Sequence, residues 1–111
     1  MRVKCPPLIL MSVPNYETVA ASQTGQVLGL NGSTGDYIER LIIRPATTSP
    51  GLVTILDGST SIPIMATGGT TTLEPIVVEL GMQSVSGAWS VTTGANVSVI
   101  AVGKFTRSTT V

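Results

Sequence analysis

The chain has no histidine, one cysteine, one tryptophan, one phenylalanine and two tyrosines among its 111 residues, and only 11% of its residues are charged. Each shortage removes a class of chemistry. Histidine is the usual general base and proton shuttle at neutral pH, so its absence takes away the commonest route to acid–base and triad catalysis. Serines are plentiful, yet none lies in a Gly-x-Ser-x-Gly elbow and no histidine could activate one. Zinc sites need clusters of Cys and His, and Cys5 is the one such residue in the chain. The lone cysteine also precludes an intrachain disulfide, so packing and hydrogen bonds must hold the fold. Six Lys and Arg balance six Asp and Glu, and the four aromatics, Tyr16, Tyr37, Trp89 and Phe105, are scattered along the chain. Without a basic patch or a stacking platform, neither nucleic acid nor an anionic membrane is an expected partner.

Carboxylate pairs are the remaining catalytic option. Asp36 with Glu39, and Glu74 with Glu79, are the close pairs in sequence, but strand residues three or five apart point to opposite faces. No catalytic residue, metal or cofactor is therefore assigned. Asp57-Gly58-Ser59-Thr60-Ser61 has a single carboxylate, too few for a calcium loop and well suited to a hairpin turn. Gly68-Gly69-Thr70-Thr71-Thr72 lacks the lysine of a phosphate loop and reads as a turn as well. Asn31-Gly32-Ser33 and Asn96-Val97-Ser98 match the glycosylation sequon, which arises readily by chance and means nothing without a secretory route. Arg2 and Lys4 before Leu8-Ile9-Leu10-Met11 faintly resemble a secretory signal, but Pro6-Pro7 interrupts it and the apolar run is short, so no cleavage is expected. No run approaches the roughly 18 apolar residues of a spanning helix.

What the chain does have is apolar residues, 42% of the total, interleaved with Ser, Thr and Gly. Short Val-, Ile- and Thr-rich runs recur at 18–21, 26–30, 37–44, 52–56, 62–65, 73–80, 89–93 and 97–106. Turn formers separate them: Asn31-Gly32, Gly35-Asp36, Ser49-Pro50-Gly51, Asp57-Gly58, Gly68-Gly69, Ser86-Gly87 and Gly94-Ala95-Asn96. Eight short strands at this spacing predict an all-β, single-domain antiparallel β-sandwich, with the jelly roll among its topologies. In the last run Val97, Val99, Ala101 and Phe105 share the expected core face, while Ser98, Ile100, Val102 and Lys104 face the other way. In the third, Tyr37, Glu39, Leu41 and Ile43 oppose Ile38, Arg40, Ile42 and Arg44, with apolar residues on both sides. Trp89 is expected in the core. Pro6, Pro7 and Pro14 keep most of residues 1–16 from forming a central strand, so these residues are read as an extended N-terminal arm and residues 17–111 as the sandwich.

Globular domains average about 25% charged residues, so this chain has little charged surface to keep a free monomer soluble. Either the surface is meant for other chains, or it is a hydroxyl-rich strand surface of a neutral domain. Two segments narrow the choice. Gly35 through Gly51, with Ile55-Leu56-Asp57-Gly58-Ser59, resembles a group of small tailed-bacteriophage virion proteins, and so does Ser84 through Gly103. Together the segments span about two-thirds of the chain, from Gly35 to Gly103, and residues 1–16 fall outside the resemblance. It implies a structural virion protein, made in the host cytoplasm and located on the capsid surface. Among small all-β virion proteins, decorating or cementing the head between major capsid proteins is the commonest role. That role needs no enzyme chemistry and takes as partners the major capsid protein and copies of itself, in a homo-oligomer. The expected contacts are Leu8, Ile9, Leu10 and Met11 on the arm and Ile42, Ile100 and Val102 on strand faces, with Arg40 and Arg44 pairing with carboxylates. A head-fibre, tail or head–tail connector module is the competing expectation, with Trp89 or Tyr37 exposed in a ligand-reading face.

Overall fold

The computed structural model describes residues 15–29, 33–67 and 70–106, and among them eight strands and no helix. In chain order they are β1 (Asn15–Val19), β2 (Gln26–Val27), β3 (Tyr37–Pro45), β4 (Val53–Asp57), β5 (Thr60–Met65), β6 (Ile76–Gln83), β7 (Trp89–Thr93) and β8 (Val97–Lys104). Each corresponds to one run read from the sequence. β1 starts at Asn15, so Asn15 and Tyr16 belong to the sandwich rather than to the arm. β6 starts at Ile76 rather than Leu73, directly after Pro75, which has no N–H to give a ladder. Residues 1–14, the Asn31-Gly32 and Gly68-Gly69 turns and Cys5 lie outside the described residues.

Two antiparallel four-stranded sheets form, in the orders β1-β8-β3-β6 and β2-β7-β4-β5. Successive strands alternate between the sheets except at the β4–β5 hairpin, where Gly58, at a φ of 62°, takes the left-handed turn position that Asp-Gly sequences favour. This wrapped order is that of a jelly roll. Between the sheets, Val19, Ile38, Leu41, Ile43, Val97, Val99, Ala101 and Phe105 meet Leu28, Val53, Ile55, Trp89 and Val91, all buried. Burying each large aliphatic side chain contributes roughly 1.5–3 kcal/mol.

β8 alternates as expected, with Val97, Val99 and Ala101 inward and Phe105 buried just past its end. β3 does not. Ile38 is buried on the same side as Leu41 and Ile43, because a register shift makes Glu39 an extra residue between the pairs Ile38↔Gly103 and Arg40↔Val102. A β-bulge of this kind reassigns every side chain on one side of it to the other face. Gly103 accommodates it: a Cβ there would strike the Tyr37 carbonyl oxygen and come within 2.9 Å of Ile38 Cα.

Two aspartates tie the loops together at one end of the sandwich. The Asp57 carboxylate accepts the backbone N–H groups of Val85 (3.0 Å), Ser86 (2.9 Å) and Gly87 (3.2 Å). Hydrogen bonds from Val85, then Ser86 and Gly87, hold its pKa below the usual carboxylate value. Asp36 accepts from the N–H groups of Ser33 (3.1 Å) and Thr106 (2.9 Å) and from both their hydroxyls, which joins the turn before β3 to the segment after β8. The indole N–H of Trp89 donates to the Asp36 carbonyl oxygen at 2.9 Å, so the tryptophan expected in the core is buried there with its polar atom satisfied.

Candidate functional site

The register of the first sheet decides which side chains share its outer face. One row runs Thr18, Ile100, Ile42, Val77 across β1, β8, β3 and β6. The next runs Tyr16, Val102, Arg40, Glu79. Tyr37, Lys104 and Gln83 form a row at one end, and Arg44 pairs with Ser98 at the other. Ile42, Ile100, Val102, Arg40 and Arg44, assigned to contacts from sequence on two separate strands, therefore lie on one continuous face. Ile42, Ile100 and Val102 are half-buried, whereas Tyr16 is 65% and Val77 55% exposed, so apolar side chains reach solvent across the sheet. The arm residues Leu8, Ile9, Leu10 and Met11 lie outside the described residues.

Part of the charge on this face is paired within the chain. Arg40 donates from Nη2 to Glu39 at 2.7 Å and from Nε to Glu79 at 3.2 Å. The hydrogen bond to Glu79 raises the guanidinium pKa, opposed by desolvation and reinforced by the Glu39 charge. The bulge is what admits this cluster, since it sets Glu39 and Arg40 side by side on β3. Arg44 is exposed and has no hydrogen bond or ion pair among the described residues. Lys104 Nζ stands 5.8 Å from the centre of the Tyr37 ring.

An open depression of about 530 Å³ lies at the Tyr37 end, lined by Gly35, Asp36, Tyr37, Gly81, Gln83 and Lys104. Its carboxylate belongs to Asp36 and is engaged by Ser33 and Thr106, while Gln83 Nε2 is tied to the Gly35 carbonyl oxygen at 3.2 Å. The depression therefore presents a lysine and an aromatic edge rather than a nucleophile with its base.

The outer face of the second sheet is different. Its rows are Val27, Ser90, Leu56, Ser61 and Thr92, Thr54, Pro63, mostly short side chains and hydroxyls. An apolar band and a hydroxyl-rich surface thus lie on opposite sides of the same sandwich. Tyr16 and Val77 were not singled out from the sequence: the first was placed in the arm, and the second sits in a run whose sidedness is unreadable without a neighbouring strand. No protein-family model, curated protein or solved structure matches the chain.

Proposed function

We propose that this protein is a structural virion component of a tailed bacteriophage, a decoration or cement protein that binds between major capsid proteins and stabilises the head. The observation that carries the reading is the outer face of the β1-β8-β3-β6 sheet, where Tyr16, Val102, Ile100, Ile42 and Val77 form an apolar band beside an internally paired ion cluster. A cement subunit gains by burying such a band, and the paired charges let it do so without stranding a lone ion. The resemblance of 35–51, 55–59 and 84–103 to tailed-phage proteins supplies the virion context. The burial of Trp89 removes one of the two aromatic residues, Trp89 and Tyr37, that a receptor-reading module would display.

In this mechanism Ile42, Ile100 and Val102 dock against the capsid shell and Arg44 pairs with a capsid carboxylate. Each interface can bury on the order of 1,600 Å² or less, since linked contacts raise effective affinity by about 10² to 10⁴. Copy number in purified particles tests the assignment. Near-equimolar amounts relative to major capsid protein support it, and about a dozen copies per particle replace it with a connector or tail role. With copy number established, Ile42→Asp combined with Ile100→Asp should strip the protein from particles while leaving it folded. Unchanged occupancy would move the capsid contact off this face.

A further inference from the structure

Among the described residues the two sheets end in four edge strands, and they are not equally protected. β2 is two residues long, β5 carries Pro63, and β1 is five residues with Glu17 at its centre. β6 runs for eight residues, and Glu79 is its only charge. Three large hydrophobic side chains are exposed on or beside it: Leu73 (61%), Val77 (55%) and Val85 (79%). An unpaired edge lined with apolar side chains is a template for another strand, and Lys, Pro or shortness normally blunts it. Here Pro75 precedes the strand and Gly81, at a φ of 64°, bends its second half, so Ile76–Leu80 is the open stretch.

We propose that residues 8–13 of one copy, Leu-Ile-Leu-Met-Ser-Val, add as a strand to the β6 edge of a second copy, joining copies head to tail. The segment is uncharged, is bounded by Pro7 and Pro14, and is one residue longer than the open stretch. Charge is complementary around the contact. Residues 1–14 carry Arg2 and Lys4 and no acid, while residues 73–85 carry Glu74 and Glu79 and no base. Reach assigns the edge to a second copy rather than the same chain. Asn15 lies in register with Gly103, Ile38 and Met82, which puts it three strand spacings, about 14 Å, from its own β6. Val13 is two residues from Asn15 and extends at most about 7 Å from it, so the full segment cannot lie along its own β6. A donor at one edge and an acceptor at the other make a heterologous contact, which propagates as a ring or a chain. This linkage concerns copies of the chain and is independent of what the outer sheet face binds.

Sedimentation velocity on the isolated full-length chain tests it. The parent should exceed the mass of one chain as concentration rises. Leu8→Asp with Leu10→Asp removes the donor, Val77→Lys blocks the acceptor, and each variant should stay at the mass of one chain with the parent's circular dichroism. Mixed, the two variants should form a one-to-one heterodimer and nothing larger, because a single donor and a single acceptor remain. A parent that stays monomeric, variants that associate like the parent, or a mixture without heterodimer each overturn the proposal. Should a variant misfold, a peptide of residues 7–14 added to the parent replaces it: loss of association supports the linkage and no effect refutes it.

Discussion

Replacing Gly103 with alanine tests whether the β3 bulge is seated as described, because local and tertiary effects predict opposite signs. In a strand interior, exchanging Gly for Ala stabilises by roughly 0.5–1 kcal/mol through reduced backbone freedom in the unfolded chain. At this position the new Cβ meets the Tyr37 carbonyl oxygen, lies 2.9 Å from Ile38 Cα and lies 2.9 Å from the Phe105 ring. Two of these three atoms belong to the backbone, so no rotamer change relieves the contact. β8 must withdraw from β3 along the central ladder of the first sheet. Overpacking of this kind costs about 1–3 kcal/mol, which outweighs the propensity gain. For a domain of this size each kcal/mol lowers Tm by about 4–8 °C. Trp89 is the sole tryptophan and is buried, so its fluorescence in a urea titration reports global unfolding. The expected result is a lower midpoint at unchanged slope. A midpoint equal to or above the parent's would mean that Tyr37 and Ile38 do not press against Gly103, and the account of the bulge would be wrong.

Two further substitutions probe the loops at the aspartate-tied end. Asp57 is held ionised in the folded state at pH values where the unfolded chain takes up a proton, so its contribution is complete above the ordinary carboxylate value and disappears as pH falls below about 4, toward the depressed folded-state value. Thermal melts across that range should show Asp57→Asn less stable than the parent at neutral pH, with the difference narrowing on acidification; a constant gap refutes the assignment. Trp89→Phe removes the indole donor, but Ser84 N still donates to the Asp36 carbonyl oxygen at 2.9 Å, so no buried acceptor is orphaned. The loss should be about 1–3 kcal/mol by circular dichroism melts, below the 3–5 kcal/mol expected of Trp89→Ala.

Much of the candidate face was legible because β8 alternates strictly and β3 carries arginines next to isoleucines. Ile42, Ile100, Val102, Arg40 and Arg44 could be named from those patterns. Their convergence could not, since it depends on the Ile42↔Ile100 and Arg40↔Val102 register between strands more than 50 residues apart in sequence. The faces of β3 were misread at Ile38 for the same reason: a bulge is fixed by the neighbour that accommodates it, here Gly103, and alternation within one strand carries no trace of it. Arg40 looked like a cation awaiting a partner until β6 brought Glu79 beside it.

The all-β class, the eight strands among the described residues, the Asp57-Gly58 hairpin and the burial of Trp89 follow from side-chain period, turn chemistry and the scarcity of aromatic residues. Only the tertiary structure decided the β1-β8-β3-β6 and β2-β7-β4-β5 orders, the bulge at Glu39 and the sorting of apolar and hydroxyl side chains onto opposite outer faces. Those features arise from pairings between distant segments, whose energies depend on which backbones meet and not on the residues within either segment alone.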